Sequence, residues 1–246
     1  MSPPESQTAY LVKLRDRHRV AERTMAFQFE KPEGFTFKAG QSIDVTLLDP
    51  PETDGEGNGR AFSIASAPDE GMLLVATRMR DTAFKRVLGA VPIGSRVKIE
   101  GPFGNLVLHN DQNRAAVLLA GGIGITPFRS ILLRATSEHL PHRLFCFYAN
   151  RRPEDAPFLQ ELEALRGQNP SYTFVPTMTD MSRSDSSYRG ETGRIDQAMI
   201  VKHLKSAASP IYYLAGPPGM VRAMRTVLNS MGVDDDDIRT EEFAGY

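Results

Sequence analysis

The densest chemistry in this sequence lies in four consecutive residues, Arg60-Ala61-Phe62-Ser63. A guanidinium can pair with a phosphate, a phenyl face can lie against a flat ring, and a serine hydroxyl can bond a ring nitrogen. A plain strand with a solvent-facing arginine fits the same four residues. A second concentration follows an apolar run at Ala115–Ala120: Gly121-Gly122-Ile123-Gly124-Ile125-Thr126-Pro127, then the periodic apolar segment Phe128–Leu133. Glycines let the backbone approach a ligand without a Cβ in the way. Thr126 before Pro127 reads as a helix N-cap with proline at the first helical position. The unpaired N–H groups of such a helix start suit a phosphate. The match to G-x-G-x-x-G is partial, because Pro127 takes the place of the third glycine, and a ligand-free strand-to-helix turn is the alternative. Leu214-Ala215-Gly216-Pro217-Pro218-Gly219-Met220 makes another turn of the same kind. No carboxylate dyad or Ser/His/Asp set stands out, and His139 and His142 in HLPH read as a surface pair rather than a metal site.

The elements that must carry these residues fall into two halves. From Tyr10 to about Gly101 short strands are expected at 10–17, 24–30, 42–48, 62–66, 72–78 and 96–100, separated by turns such as Pro32-Glu33-Gly34 and Pro92-Ile93-Gly94. Six short strands at this spacing predict a small antiparallel barrel or sandwich. Asp49–Gly59, DPPETDGEGNG, is a loop by composition. Past Asn110 strand-length apolar runs alternate with helical periodicity: strands at 115–120, 143–149, 172–178, 211–215 and 237–242, helices at 127–137, 156–166, 195–204 and 218–231. That alternation predicts an α/β domain on a parallel sheet. The expected domains are 1–109 and 110–246, divided within HNDQN, and Asp234–Asp237 reads as a solvated loop.

The totals narrow the function. A chain of 246 residues with 41% hydrophobic and 24% charged residues has room for two ordinary globular domains. A formal net charge of −1 supplies no general field for nucleic acid or an anionic membrane. The one cysteine, Cys146, lies in an apolar run expected in a core, and excludes an intrachain disulfide and an all-cysteine zinc or iron–sulfur site. MSPPESQTAY has neither the basic nor the apolar region of a leader, and no apolar run approaches the roughly 18 residues of a membrane helix, so a cytoplasmic protein without a membrane span is expected.

RAFS at 60–63 resembles the R-x-Y-S flavin motif of the ferredoxin–NADP reductase superfamily. GPFGNL at 101–106, AGGIGITP at 120–127, YANRRPED at 148–155 and LAGPPGM at 214–220 follow in that family's order, so the resemblance spans nearly the whole chain. It implies a six-stranded antiparallel β-barrel binding FAD, followed by an α/β parallel-sheet domain binding NAD(P), without an iron–sulfur domain. Arg60 would contact the flavin pyrophosphate, Phe62 would stack on the isoalloxazine with Ala61 beside it, and Ser63 would reach N5. Phe62 departs from the usual tyrosine, losing a hydroxyl but keeping the face. Less regular is the second phosphate segment, Arg78 to Lys85: a helix at 82–88, capped by Asp81 or Thr82 and closed by Gly89, would offer amides, the Thr82 hydroxyl and Lys85. A solvated basic helix is the alternative there.

The nucleotide would meet Gly121, Gly122, Gly124, Thr126 and Pro127 after the first strand of its domain, Asn150 and Arg151 after the second, and Gly216, Pro217 and Met220 after the fourth. Ala215 replaces the family's common cysteine, so catalysis rests on positioning. In plant-type relatives a Ser-Arg pair meets the 2′-phosphate of NADP. Thr179-Asp180 stands there in this chain, and an acid there leans toward NADH over NADPH, with Arg151, Arg152 and Arg183 as opposing cations. Glu241-Glu242-Phe243 is similar to a terminal E-x-F that lies at the flavin in flavohaemoglobin reductase domains, and Tyr246 is similar to the terminal aromatic of plant-type members; surface packing is the alternative for both. The resemblance therefore implies a reductase with Ser63 and Phe243 at the reacting ring. It would pass a hydride from NAD(P)H to flavin and electrons to an outside acceptor such as a ferredoxin, flavodoxin, haem protein, quinone or free flavin. An electron-transfer subunit of a multicomponent oxygenase or reductase, or a degenerate non-catalytic binding module, are the competing expectations.

Overall fold

Period-two alternation builds the first half of the chain. The computed structural model describes residues 9–204 and 209–243. Its first six strands are β1 (Ala9–Ala21), β2 (Thr24–Glu30), β3 (Ser42–Leu47), β4 (Gly59–Ser63), β5 (Met72–Arg78) and β6 (Arg96–Phe103). Along β3, Ile43, Val45 and Leu47 are buried while Ser42, Asp44 and Thr46 are partly exposed, as expected of a sheet with one wet face. Every pairing is antiparallel, in the order β4-β3-β6-β1-β2-β5. Just beyond β4 the Ala65 N–H donates to Leu74 O at 2.7 Å, which draws the two outer strands together. The sheet thereby curls around Phe27, Phe29, Ile43, Val45, Ile64 and Leu73.

A helix, α1 (Ala83–Ala90), lays Phe84, Val87 and Leu88 into the same core. Gly89 does not close it: the helix runs one residue past Gly89, and Val91 ends it with an N–H bond to Val87 O. Nor does Asp81 or the Thr82 side chain cap it. Asp54, from the loop before β4, accepts the Ala83 N–H at 2.7 Å.

The second half comprises β7 (Ala116–Gly121), α2 (Ile125–Ser137), β8 (Leu144–Asn150), α3 (Leu159–Ala164), β9 (Tyr172–Met178), β10 (Glu191–Thr192), α4 (Gln197–Leu204), β11 (Ile211–Gly216), α5 (Pro218–Ser230) and β12 (Ile238–Glu242). Its strands are all parallel, in the order β10-β9-β8-β7-β11-β12. All six residues of β7 are buried because both faces are covered. Ala116, Leu118 and Ala120 pack with α2 and α3 on one side. Val117 and Leu119 pack with α4 and α5 on the other. The direction of winding reverses between β7 and β11, and a crevice at the carboxyl ends of strands at such a reversal is where α/β sheets take ligands.

Several expectations need correction. α2 starts at Ile125 after a 3-10 turn over Gly122–Gly124, so Thr126 is inside the helix, its hydroxyl donating to Ile123 O at 3.0 Å. The helix expected at 156–166 is shorter, because Phe158 adopts a left-handed φ of 61° and delays it to Leu159. β10, only two residues long, had no visible pattern. His142 is buried rather than a surface residue: its ring meets His109 edge-on at 5.1 Å, and its Nε2 lies 2.9 Å from His109 O. Tyr246 lies outside the described residues. No helix among the described residues is long and apolar enough to cross a membrane.

The two sheets are fastened side by side. Arg129 and Ser130, one turn into α2, are buried and reach the carbonyls of Ala65 and Ser66 at 2.6 Å each. Those carbonyls lie two and three residues past Ser63. Arg78 of β5 pairs with buried Asp155 at 3.5 Å, and Asp155 is held by Arg152, which also pairs with Glu22 of the β1–β2 turn.

Candidate active site: a barrel cavity meeting a crevice between glycine turns

β4, β5 and α1 enclose a cavity of about 370 Å³. Nine residues singled out in the sequence line it: Arg60, Ala61, Phe62 and Ser63 from β4, Arg78 from β5, Thr82 and Lys85 from the α1 segment, and Thr126 and Phe243 from the second half. Arg80 and Ile123 join them. Phe62 is only 8% exposed and sits 6.0 Å from Phe84, so it shows the cavity part of its surface while anchored in the barrel core. Residues on the nucleotide side, Ile123, Thr126 and Phe243, form one wall, and the Phe243 N–H bonds Gly216 O at 3.0 Å. The cavity wall and the second glycine turn are therefore one piece.

One end of the cavity is cationic. Burial, then the neighbouring Arg80 and Arg60, push the Lys85 ammonium down to about 8. The Thr82 hydroxyl is buried and has no hydrogen-bond partner. Crowded cations beside an unanswered hydroxyl and the start of α1 make this end suited to an anion. Arg60 faces the same end but is engaged: its guanidinium donates to Glu56 O, Gly57 O and Gly59 O, pairs with the Glu56 carboxylate at 2.7 Å, and lies 5.1 Å over the Phe84 ring. The donor set fits the diphosphate and the flat apolar ring of a flavin dinucleotide.

Behind Ser63, one of the lining residues, stands a residue that sequence reasoning missed. The Ser63 hydroxyl donates to the Glu241 carboxylate at 3.2 Å, across 178 positions of chain. Burial raises the Glu241 carboxyl above the ordinary range, and the Ser63 bond opposes that rise. Glu241 was visible beside Phe243, but nothing in the local sequence said that this acid, rather than exposed Glu242, turns inward. Arg129, Ser130 and Asp54 were missed for the same reason: each works through a partner distant in sequence.

The remaining predicted residues gather at the carboxyl ends of the parallel strands. Gly121 and Gly216 face each other, since a Cβ on Gly216 would meet Gly121 N and O at 3.1 Å. A Cβ on Gly124 would strike the Ala215 carbonyl. That glycine is required for backbone packing between the two turns, where the sequence pointed to a ligand. Met220 and Pro217 pack against Gly121. Asn150, at the end of β8, has a buried amide nitrogen without a partner. Asp180 follows β9, its N–H bonded to Arg151 O and its carboxylate to Ser182, which holds its pKa below the usual carboxylate value. Arg152 is committed to Asp155, Glu22 and Arg183 O, while Arg151 is exposed.

Comparison with known proteins agrees with this geometry. Residues 118–226, the span of the crevice, match the oxidoreductase NAD-binding domain. Over 245 residues the chain is 24% identical to reductase component 2 of terephthalate 1,2-dioxygenase from a Comamonas species, covering 98% of this chain and 70% of that protein. The fold is that of the ferredoxin–NADP reductase superfamily. A component of the Na(+)-translocating NADH-quinone reductase of Haemophilus influenzae is 26% identical over 201 residues, 76% of this chain. The chain spans about half of that component, 48% of its length. The crystal structure of a Neisseria gonorrhoeae ferredoxin NADP+ reductase with bound FAD and NADP superposes with a TM-score of 0.77 at 22% identity, covering 97% of this chain and 99% of that one.

Proposed function

We propose that this protein is an NAD(P)H-dependent flavin oxidoreductase that holds FAD in the 370 Å³ cavity and the nicotinamide nucleotide in the crevice. The observation that carries the reading is the cavity's make-up: cations with an unpartnered hydroxyl, a lining serine, Ser63, backed by Glu241, and a wall shared with the glycine turn.

FAD, when bound, supplies the ring that accepts hydride from the nicotinamide and releases electrons to an acceptor. The chain's own residues bind and orient. Arg60, Lys85, Thr82 and the α1 amides hold the diphosphate through charge-assisted bonds. Phe62 and Phe243 offer apolar surface to the ring. Ser63, the residue assigned to the reacting edge together with Phe243, presents a hydroxyl whose direction is set by Glu241. Arg78 lies between the cavity and Asp155, tying the first half to the second. In the crevice Gly121, Gly122, Gly124, Thr126 and Pro127 form the phosphate-facing turn, and the free amide donor of Asn150 stands ready beside them. Gly216, Pro217 and Met220 support the nicotinamide end. Positioning of this kind is what a protein adds when the bound groups carry the chemistry themselves.

Asp180 favours NADH, because a carboxylate next to the ribose repels a 2′-phosphate. Arg152 cannot answer that phosphate without breaking its pairs with Asp155 and Glu22. Arg183 and Arg151, whose charges both act on Asp180, are the cations left to oppose it. Cys146 is buried, so electrons leave to an acceptor beyond these residues, and a redox protein is our choice because the first relative named above is itself a reductase component. Arg60→Ala tests the reading. It should weaken FAD binding at least tenfold in fluorescence titration, about 1.4 kcal/mol. Full FAD occupancy at unchanged affinity would refute the diphosphate assignment.

A further inference from the structure

The loop between β3 and β4 carries acids at alternate positions, Glu52, Asp54 and Glu56, and the last two engage groups at the end of the cavity assigned to the diphosphate. Asp54 accepts the first amide of α1 from Ala83 at 2.7 Å. Glu56 pairs with Arg60 at 2.7 Å, and Asp54 approaches the same guanidinium at 3.8 Å. Glu52 accepts two bonds from Arg86, on the far side of the same helix, at 2.9 and 2.7 Å. Residues 51–58 are otherwise exposed, and no apolar side chain among them anchors the loop. A Cβ added at Gly55 or Gly57 would meet nothing within 4 Å. The loop's middle, residues 52–57, is held down by charge pairing, by the bonds of Asp54 to Ala83 and to the loop's own Glu56 N–H, and by the bonds of Arg60 to Glu56 O and Gly57 O, while Asn58 is tied to Leu47 by two bonds of 2.9 Å.

We propose that Asp54 and Glu56 are affinity-determining residues of the flavin site, occupying in the flavin-free chain the amide and guanidinium that the diphosphate takes, so that flavin binds by displacing them. The inference rests on the flavin reading given above.

Charge arithmetic makes the displacement feasible. Carboxylates and phosphates compete for the same donors, and both cannot sit on Arg60 and the α1 amides without repelling each other. Exposed ion pairs of this kind are individually weak, so the loop is held lightly enough to lift. The carboxylates also leave the site incompletely answered, because the Thr82 hydroxyl stays without a partner while they are docked. An arriving diphosphate gains that contact in addition to those it takes over. The loop therefore keeps the cationic pocket compensated until flavin arrives, and lowers flavin affinity in return.

The test is FAD affinity by fluorescence titration of the flavin-free protein, in the parent, Asp54→Asn, Glu56→Gln, the double variant and Glu33→Gln. Glu33→Gln removes the same charge from an exposed turn in another part of the barrel. The inference expects each loop variant to bind FAD roughly three- to tenfold tighter than the parent, the range of a modest surface ion pair, with the control unchanged. Sodium pyrophosphate should also raise hydrogen exchange across residues 52–58 in the parent. Unchanged or weaker FAD binding in both single variants, or equal tightening in the control, overturns the inference while leaving the flavin reading intact. Failure of the parent to take up FAD at all overturns both.

Discussion

Replacing Arg129 with alanine should loosen the fastening between the halves and slow flavin reduction without emptying the cavity. The guanidinium makes bonds of 2.8 and 2.7 Å to Glu161, one of 2.6 Å to the Ala65 carbonyl, and lies 4.9 Å over the Phe158 ring. Glu161 is 37% exposed, so its share is discounted to about 0.5–1 kcal/mol. The Ala65 carbonyl loses a charged donor, a bond worth roughly 1.5–3 kcal/mol. The sum, about 2–4 kcal/mol, corresponds to a melting temperature lower by roughly 4–16 °C for a chain of this length. Arg129→Lys keeps the charge but not the forked geometry and should fall between. Because Arg129 sits one turn beyond the phosphate-facing glycines and bonds the chain just past Ser63, its loss should also lower the flavin reduction rate at saturating NADH about tenfold. FAD affinity should hold within about twofold, since no FAD-binding residue is touched. Circular dichroism melts of the flavin-free protein and stopped-flow reduction after reconstitution measure the two effects. A variant with the parent's melting temperature and reduction rate would refute the role given to this contact.

Other outcomes follow from the same geometry. Glu241→Gln keeps an acceptor for the Ser63 hydroxyl but removes a carboxylate that burial disfavours. Melting temperature should hold or rise while flavin reduction slows, and a lower melting temperature with normal reduction would contradict the assignment. Asp180→Ala should move the ratio of kcat/KM toward NADPH by about tenfold, near 1.4 kcal/mol, in steady-state assays with an artificial acceptor; an unmoved ratio would remove Asp180 from the selectivity argument. Lys85 titrates near 8 because of burial and its Arg80 and Arg60 neighbours. The diphosphate favours the protonated ammonium, so FAD affinity should weaken as pH rises through about 8, and Lys85→Met should flatten that profile; a pH-independent parent would place Lys85 away from the diphosphate.

Most of the architecture was legible because the core writes itself as periodicity. β7 reads as an unbroken apolar run since helices cover both faces, and β3 alternates since one face is wet. The glycine turns were legible for a partly different reason than expected: Gly124 is dictated by the Ala215 carbonyl against it. What stayed hidden were side chains whose meaning depends on a distant partner. Asp54 looks like loop composition until α1 brings the Ala83 amide to it. Glu241 and Glu242 are equivalent on paper, and only the pairing of β12 with β11 decides which one meets Ser63. His142 looked like a surface residue because the buried space beside His109 has no local signature.

Anaerobic titration of the FAD-reconstituted protein with NADH tests the central claim most directly. The account predicts that the flavin absorbance bleaches fully at about one NADH per bound flavin, as a two-electron hydride transfer requires. It also predicts that colour returns when an electron acceptor is added. A protein that takes up FAD but stays yellow with excess NADH and NADPH would contradict it.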